Sequence, residues 1–397
     1  MPSEQLKNIR IAIIGPSGAG KSTLIKILLA IFPRMRLSIS CTTKELKKDE
    51  IEGVHYFQID KEKFTEYRES GLFAEFNDLH DAWYGTLLSE THIDTESVIF
   101  DVDVDGARNL KKKFPDLVTI FIKPPSVTKL RERLIIRGRE SIEKIEKRIK
   151  RYQYEKRFIK DFDYCLINDD LFACFAKLAG LIFKEQGGKV VAIDGTAASG
   201  KGTIAKRISV RFGGYHLDSG LIYRSITHAM INQGLTANDT EQLPEYLNVF
   251  LDTFTELEDA SILRTEKISS YVADFSALEI VRNIAFKLQM KLVYHFGYSF
   301  VVAEGRDMTT HVFINAQHKF FVDCPLDIRA ERRAKEFGFN KNSLDYHKIY
   351  NSLDNRDHSD MYRKLHPLKF VPQLGVRKID NSTELDKTLE KIYKLIE

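Results

Sequence analysis

Cysteine is scarce, four residues in a chain of 397, and Cys41, Cys165, Cys174 and Cys324 form no C-x-x-C pair. That argues against a metal cluster or a disulfide framework and for packing residues in a reducing compartment. No apolar run approaches the roughly 18 residues of a spanning helix, and residues 1–10 are too polar for a secretion signal. The expected compartment is therefore the cytoplasm, with no membrane partner. Charge of one sign is not in excess either: a formal net charge of +4 over this length is too mild to imply nucleic acid. Low-complexity segments are absent. What remains, 43% hydrophobic and 29% charged residues, is a globular composition. The length exceeds one ordinary core, since a prior of about 150 residues per domain gives two or three.

A repeat settles on two. Residues 9–14 and 190–193 are apolar strands, each followed by a glycine-rich loop ending in Gly-Lys and then an apolar helix. The first loop runs from Gly15 through Ser17, Gly18 and Gly20 to Lys21, Ser22 and Thr23. The second runs from Gly195 through Ser199 and Gly200 to Lys201, Gly202 and Thr203. Gly15 and Gly195, like Lys21 and Lys201, lie 180 positions apart. Bare backbone N–H groups at a helix N-terminus wrap nucleotide phosphates, so the pattern predicts two phosphate loops in one chain.

Around each loop, short buried strands alternate with helical patterns: 9–14, 98–100, 118–122 and 165–167 in the first half, then 190–193, 300–303, 319–322 and 377–379. Two α/β domains with parallel sheets follow. Ile142, Ile145, Ile149 and Tyr152 recur at a 3-4-3 spacing that predicts a surface amphipathic helix. The joint is expected near residue 187, giving domains 1–186 and 187–397.

The lysine of such a loop bridges β- and γ-phosphates, the next hydroxyl ligates Mg²⁺, and an acid after another strand completes the shell. Lys21, Ser22 and Asp101 fill those roles. The acceptor is suggested by what lies between: Ser40, Lys44, Lys47, Tyr56, Glu75, Tyr84, Thr86, Asp101-Val-Asp103, Arg133, Arg137, Arg148 and Asn168. In this order the residues resemble guanylate kinase across 9–183. The resemblance implies that Glu75 and Asp103 meet the donor edge of guanine and that Ser40 and Thr86 meet O6. It also implies that Lys44, Lys47, Tyr56 and Tyr84 clamp the monophosphate, that Arg133, Arg137 and Arg148 are lid arginines, and that Asn168 lies beside the donor adenine. Carboxylates suit an edge with two N–H donors. Lys44 and Lys47 stand where the family has arginines, which predicts a weaker grip on GMP.

In the second half, Gly195 to Thr203, Ser219, Arg224, Arg306-Asp307, Arg356, Asp360 and Arg363 resemble cytidylate kinase over about residues 189–385, with 231–299 matching poorly. The resemblance implies arginines 224, 306, 356 and 363 converging on the acceptor phosphate. Ser219 and Asp307 would lie toward the pyrimidine, Asp360 toward the ribose, and Arg329 and Arg332 in a lid. Arg282, Lys287 and Lys291 are stand-ins for arginines usual in that family. Gly202 replaces the metal-binding hydroxyl, leaving Mg²⁺ to phosphates, water and Thr203.

The fold expected is thus two P-loop nucleoside monophosphate kinase domains, each a helix-flanked parallel sheet with lid and monophosphate-binding subdomains, the lids at 125–145 and 325–345. The activity implied is ATP- and Mg²⁺-dependent phosphorylation of GMP and of CMP or dCMP. The competing reading makes one half a nucleotide-binding regulatory or scaffold module. The basic segment 129–160 reads better as a solvated helix face than as a nucleic-acid patch, because glutamates interleave it.

Overall fold

A computed structural model describes residues 5–79, 82–138, 141–341, 343–368 and 375–397. The chain divides into two compact units, one from Lys7 to Gln186 and one from Gly187 to Glu397. In the first unit the elements are β1 (Arg10–Ile14), α1 (Lys21–Ile31), β2 (Met35–Leu37), β3 (Ser40–Thr42), β4 (Tyr56–Gln58), α2 (Lys61–Glu69), β5 (Phe73–Leu79), β6 (Ala82–Leu87), β7 (Ser97–Asp101), α3 (Val104–Lys113), β8 (Val118–Lys123), α4 (Val127–Ile136), α5 (Ile142–Glu155), β9 (Tyr164–Ile167) and α6 (Leu171–Glu185). The five-stranded parallel sheet has the order β2-β7-β1-β8-β9. β1 lies at its centre, and Ile11 to Ile14 are fully buried because helices cover both faces.

A second sheet, β4-β3-β6-β5, is mixed: β3 runs parallel to β4 and antiparallel to β6. It was not expected from the apolar pattern, since β3 and β4 are three residues each. The amphipathic helix is α5, with Ile145, Ile149 and Tyr152 buried. Ile142 departs from the expected stripe and is 77% exposed, because it opens the helix ahead of the turn that reaches the core.

The second unit comprises β10 (Lys189–Gly195), α7 (Lys201–Phe212), β11 (Tyr215–Asp218), α8 (Ser219–Asn232), α9 (Leu243–Thr253), α10 (Ala260–Leu263), α11 (Glu266–Ala277), α12 (Glu279–Tyr294), β12 (Phe300–Gly305), β13 (His318–Asp323), α13 (Leu326–Glu336), α14 (Leu344–Tyr362), β14 (Arg377–Asp380) and α15 (Leu385–Ile396). Its parallel sheet has the order β11-β12-β10-β13-β14. Counting only core strands, both sheets read second, third, first, fourth, fifth. The 180-residue repeat is therefore a repeat of topology, and in both units the phosphate loop leaves the central strand. Residues 231–299 form the helices α9 to α12 beside α8.

Candidate active sites

Each loop is held from the far end of its own sheet. Gly20 opens α1 at φ 93° and Gly200 opens α7 at φ 85°, left-handed conformations that favour glycine. Ala198 takes the same hand at φ 55° where Gly18 stands at 87°, so the loops share a backbone path despite different residues. The register extends the likeness. Ile13 pairs with Asp101, and Ile193, 180 residues on, pairs with Glu304. Lys21 Nζ donates to the Gly15 carbonyl at 2.6 Å and lies 3.8 Å from Asp101. In the second unit the Gly195 carbonyl accepts instead from Arg306 at 3.0 Å.

The mixed sheet gathers most of the residues expected to meet the acceptor. Ser40 pairs with Thr86 across β3 and β6, and the Thr86 hydroxyl donates to Glu75 at 2.6 Å. Burial pushes the Glu75 carboxyl up to about 7, with Asp103 adding to the rise and Thr86 opposing it. Lys44 Nζ bonds both Glu50 oxygens at 3.1 and 2.9 Å and sits 5.0 Å from the Tyr56 ring, which meets Tyr84 edge-on at 6.0 Å. The exposed Lys47 side chain is outside that knot, and its backbone N–H donates to Glu50. Arg133 donates to the Asp169 carbonyl at 3.4 Å, Arg137 is exposed at the end of α4, and Arg148 lies half-buried on α5. Residues 139 and 140 of the expected first lid, and 342 of the second, lie outside the described residues.

Opposite the second loop, arginines and carboxylates interlock. Arg306 contacts Asp360 at 2.8 Å, Arg363 contacts Asp360 at 3.3 Å, and Arg282 contacts Asp307 at 3.2 Å. Burial pushes the Asp307 carboxyl up, but the His366 side chain and the charges of Arg363, Arg282 and His311 outweigh it and hold the group down at about 2. Arg356 is exposed on α14, near enough to Lys201 for its charge to act on it. Arg224 does not join the cluster; it bonds Ser269 at 2.8 Å, on α11. Ser219 is buried at the start of α8 against Gly305, where an added Cβ would come within 2.3 Å of its hydroxyl.

Family comparison decides between the many proteins that carry such loops. The guanylate kinase family model matches residues 7–185 and the cytidylate kinase family model matches residues 191–397. Residues of the first half are 37% identical over 183 positions to a guanylate kinase from Clostridioides difficile, covering 45% of this chain and 89% of the relative. A guanylate kinase from Symbiobacterium thermophilum is 36% identical, covering 47% and 89%. One from Helicobacter pylori is 39% identical, covering 41% and 80%. The chain belongs to both families, one in each half.

Within the cytidylate kinase domain, the two arginines expected in the lid bond protein groups around the loop. Arg329 is buried, donating to the Ala197 carbonyl and pairing with Asp357, both at 2.7 Å. Arg332 donates to the Asn381 carbonyl at 2.9 Å. Both brace the loop's surroundings because α13 starts directly after β13. Arg282 is the stand-in that reaches the cluster, whereas Lys291 bonds the Phe254 carbonyl.

Sequence reasoning missed three residues of the cytidylate kinase domain. Glu304 occupies the place of Asp101, and an added Cβ at Gly202 would meet its carboxylate at 3.0 Å. Burial pushes the Glu304 carboxyl up and the Lys201 ammonium down, each opposed by the other's charge. Asp357 accepts from the Ala197 N–H at 2.8 Å. Asn381 bonds the Ser199 carbonyl. Only Glu304 carried a signal, an acid at the end of an apolar run. In the guanylate kinase domain the missed residue is Arg151, bound to Asp103 at 2.8 Å.

Proposed function

We propose that the chain is a bifunctional nucleoside monophosphate kinase, passing the γ-phosphoryl group of ATP to GMP in its guanylate kinase domain and to CMP or dCMP in its cytidylate kinase domain. The observation that carries this reading is one phosphate-loop geometry repeated against two different acceptor clusters. The first cluster offers the carboxylates Glu75 and Asp103 to a base edge with two donors. The second offers Arg306 and Arg363 to a dianionic phosphate, with Arg282 at Asp307 beside them.

A loose phosphoryl transition state needs placement and charge more than covalent help. Lys21 and Lys201 would draw the donor phosphates to the helix N-termini, and the nucleophile is the acceptor's own phosphate oxygen. Arg133, Arg137 and Arg148 would neutralise charge over the first site. Mg²⁺, when bound, supplies further neutralisation of the phosphate oxygens. The residues fit it: the exposed Ser22 hydroxyl follows Lys21 directly, and Asp101 lies 3.8 Å from Lys21. The proposed compartment is the cytoplasm, where ATP and free monophosphates are available. Lys21→Ala and Lys201→Ala in the full chain, each assayed with GMP and with CMP, test the proposal. Each substitution is expected to abolish one reaction and spare the other. A substitution that abolishes neither would make its domain a binding module.

A further inference from the structure

Arg151 lies on α5, one turn beyond Arg148, on the arm that follows the expected lid. Its Nη2 donates to Asp103 Oδ2 and its Nε to Glu155 Oε1, both at 2.8 Å. Asp103 is otherwise held by Gly106 N–H on Oδ1 at 2.8 Å, as the cap of α3, and by Asn77 Nδ2 on Oδ2 at 2.9 Å. Two donors on Oδ2 use both of that oxygen's lone pairs, so what Asp103 offers a base is the remaining site on Oδ1. Glu75 approaches from β5: a Cβ at Gly106 would stand 2.9 Å from Glu75 Oε2 and 3.2 Å from Asp103 Oδ1. Two carboxylates therefore converge on one glycine.

Among the described residues Arg151 is the cation that forms an ion pair with Asp103. The charged groups facing this point are Glu75 from β5, Arg151 and Glu155 from α5, and Lys21 from α1, whose charge reaches Glu155.

Resting on the guanylate kinase reading above, we propose that Arg151 is a positioning residue for the acceptor base. It holds the Asp103 carboxylate aimed beside Glu75, and it ties the lid arm to the base-reading edge without touching nucleotide. A cation that acts on recognition should alter KM more than turnover, whereas a purely structural one should alter stability.

The test is steady-state kinetics of the full chain carrying Arg151→Gln or Arg151→Lys, with GMP and AMP as acceptors at one pH and the CMP reaction as an internal control of folding. Arg151→Gln is expected to raise KM for GMP about tenfold with kcat nearly unchanged, the scale of one charged hydrogen bond. It should also narrow the preference for GMP over AMP. Arg151→Lys, which keeps the charge, should recover most of the KM. An unchanged KM alongside a lower kcat or melting temperature would overturn the proposal, as would failure of the lysine to rescue. Absence of GMP turnover in the unaltered chain would instead defeat the reading on which the inference rests.

Discussion

Asn168 and Asn381 make the same pair of bonds in the two domains. Asn168 Nδ2 donates to the Ala19 carbonyl at 2.7 Å, and Asn381 Nδ2 donates to the Ser199 carbonyl at 2.8 Å. Their backbone N–H groups bond the Lys123 and Asp323 carbonyls, each at 2.8 Å. Each amide thus ties the strand at one edge of the sheet to the last carbonyl before the glycine that opens the phosphate-loop helix. An added Cβ at Gly20 or Gly200 would come within 2.3 or 2.5 Å of that amide nitrogen.

Removing either amide leaves a buried carbonyl unpaired, which costs about 1 to 3 kcal/mol. Asn168→Ala is expected to weaken ATP binding in the GMP reaction by about tenfold, and Asn381→Ala to do so in the CMP reaction alone. ATP dissociation constants of the two variants, each measured with the other site disabled through its loop lysine, check this. Equal losses in both reactions would contradict it.

This pair also marks the limit of what the sequence discloses. The 180-residue offset carries Lys21 to Lys201 and Ile13 to Ile193, because the strand, loop and helix between them have fixed lengths. It fails for Asn168 and Asn381, which lie 213 residues apart, because the connections between later strands differ between the domains. The parallel strands were legible as apolar runs since they are covered on both faces. The mixed sheet was not, because β3 and β4 are only three residues each and its strands carry polar side chains such as Ser40, Glu75 and Thr86 in place of an apolar run. The loops, the acceptor carboxylates and Arg306, Asp360 and Arg363 could be named in advance. Arg151, Asp357 and Asn381 act through long-range bonds, to Asp103, Ala197 and Ser199, that leave no local pattern.

Glu75 gives the first domain a dependence on pH. Its carboxyl lies at about 7 in the folded chain against an ordinary 4.5, chiefly through burial. Between those values the unfolded chain surrenders the proton first, so stability falls as pH rises through the window and levels off above it. The total is on the order of 3 kcal/mol. Glu75→Gln should flatten that slope, and Trp83, the single tryptophan and a neighbour on β6, reports it in denaturant titrations. Since a base donor needs the ionised acid, KM for GMP should fall as pH rises through neutrality in the unaltered chain.

Lys44 is a point charge where a fork would serve better. Both oxygens of Glu50 already hold its ammonium, and Lys44 and Lys47 together keep the Glu50 carboxyl below its usual range. Lys44→Arg adds planar paired donors that can hold Glu50 and a phosphate together. The expected result is a KM for GMP lowered by about threefold to tenfold, with kcat little changed. An unchanged or raised KM would show that the lysine does not limit the grip.

The second loop lacks the hydroxyl that Ser22 gives the first, and Glu304 stands in the space that would receive it. With a Cβ at Gly202 only 3.0 Å from the Glu304 carboxylate, a serine there would crowd the acid. Glycine and glutamate therefore belong together, one making room for an oxygen that the other provides. A carboxylate at this point is a hard ligand suited to Mg²⁺ or to its water shell. Glu304→Gln should weaken Mn²⁺ binding to the ATP complex about tenfold, measured by spin-resonance titration with the first site disabled through Lys21→Ala. Gly202→Ser alone should also impair it, whereas Gly202→Ser combined with Glu304→Ala should restore part of the affinity. If the single Glu304 substitution leaves Mn²⁺ binding intact, the acid serves only to balance the buried charge of Lys201.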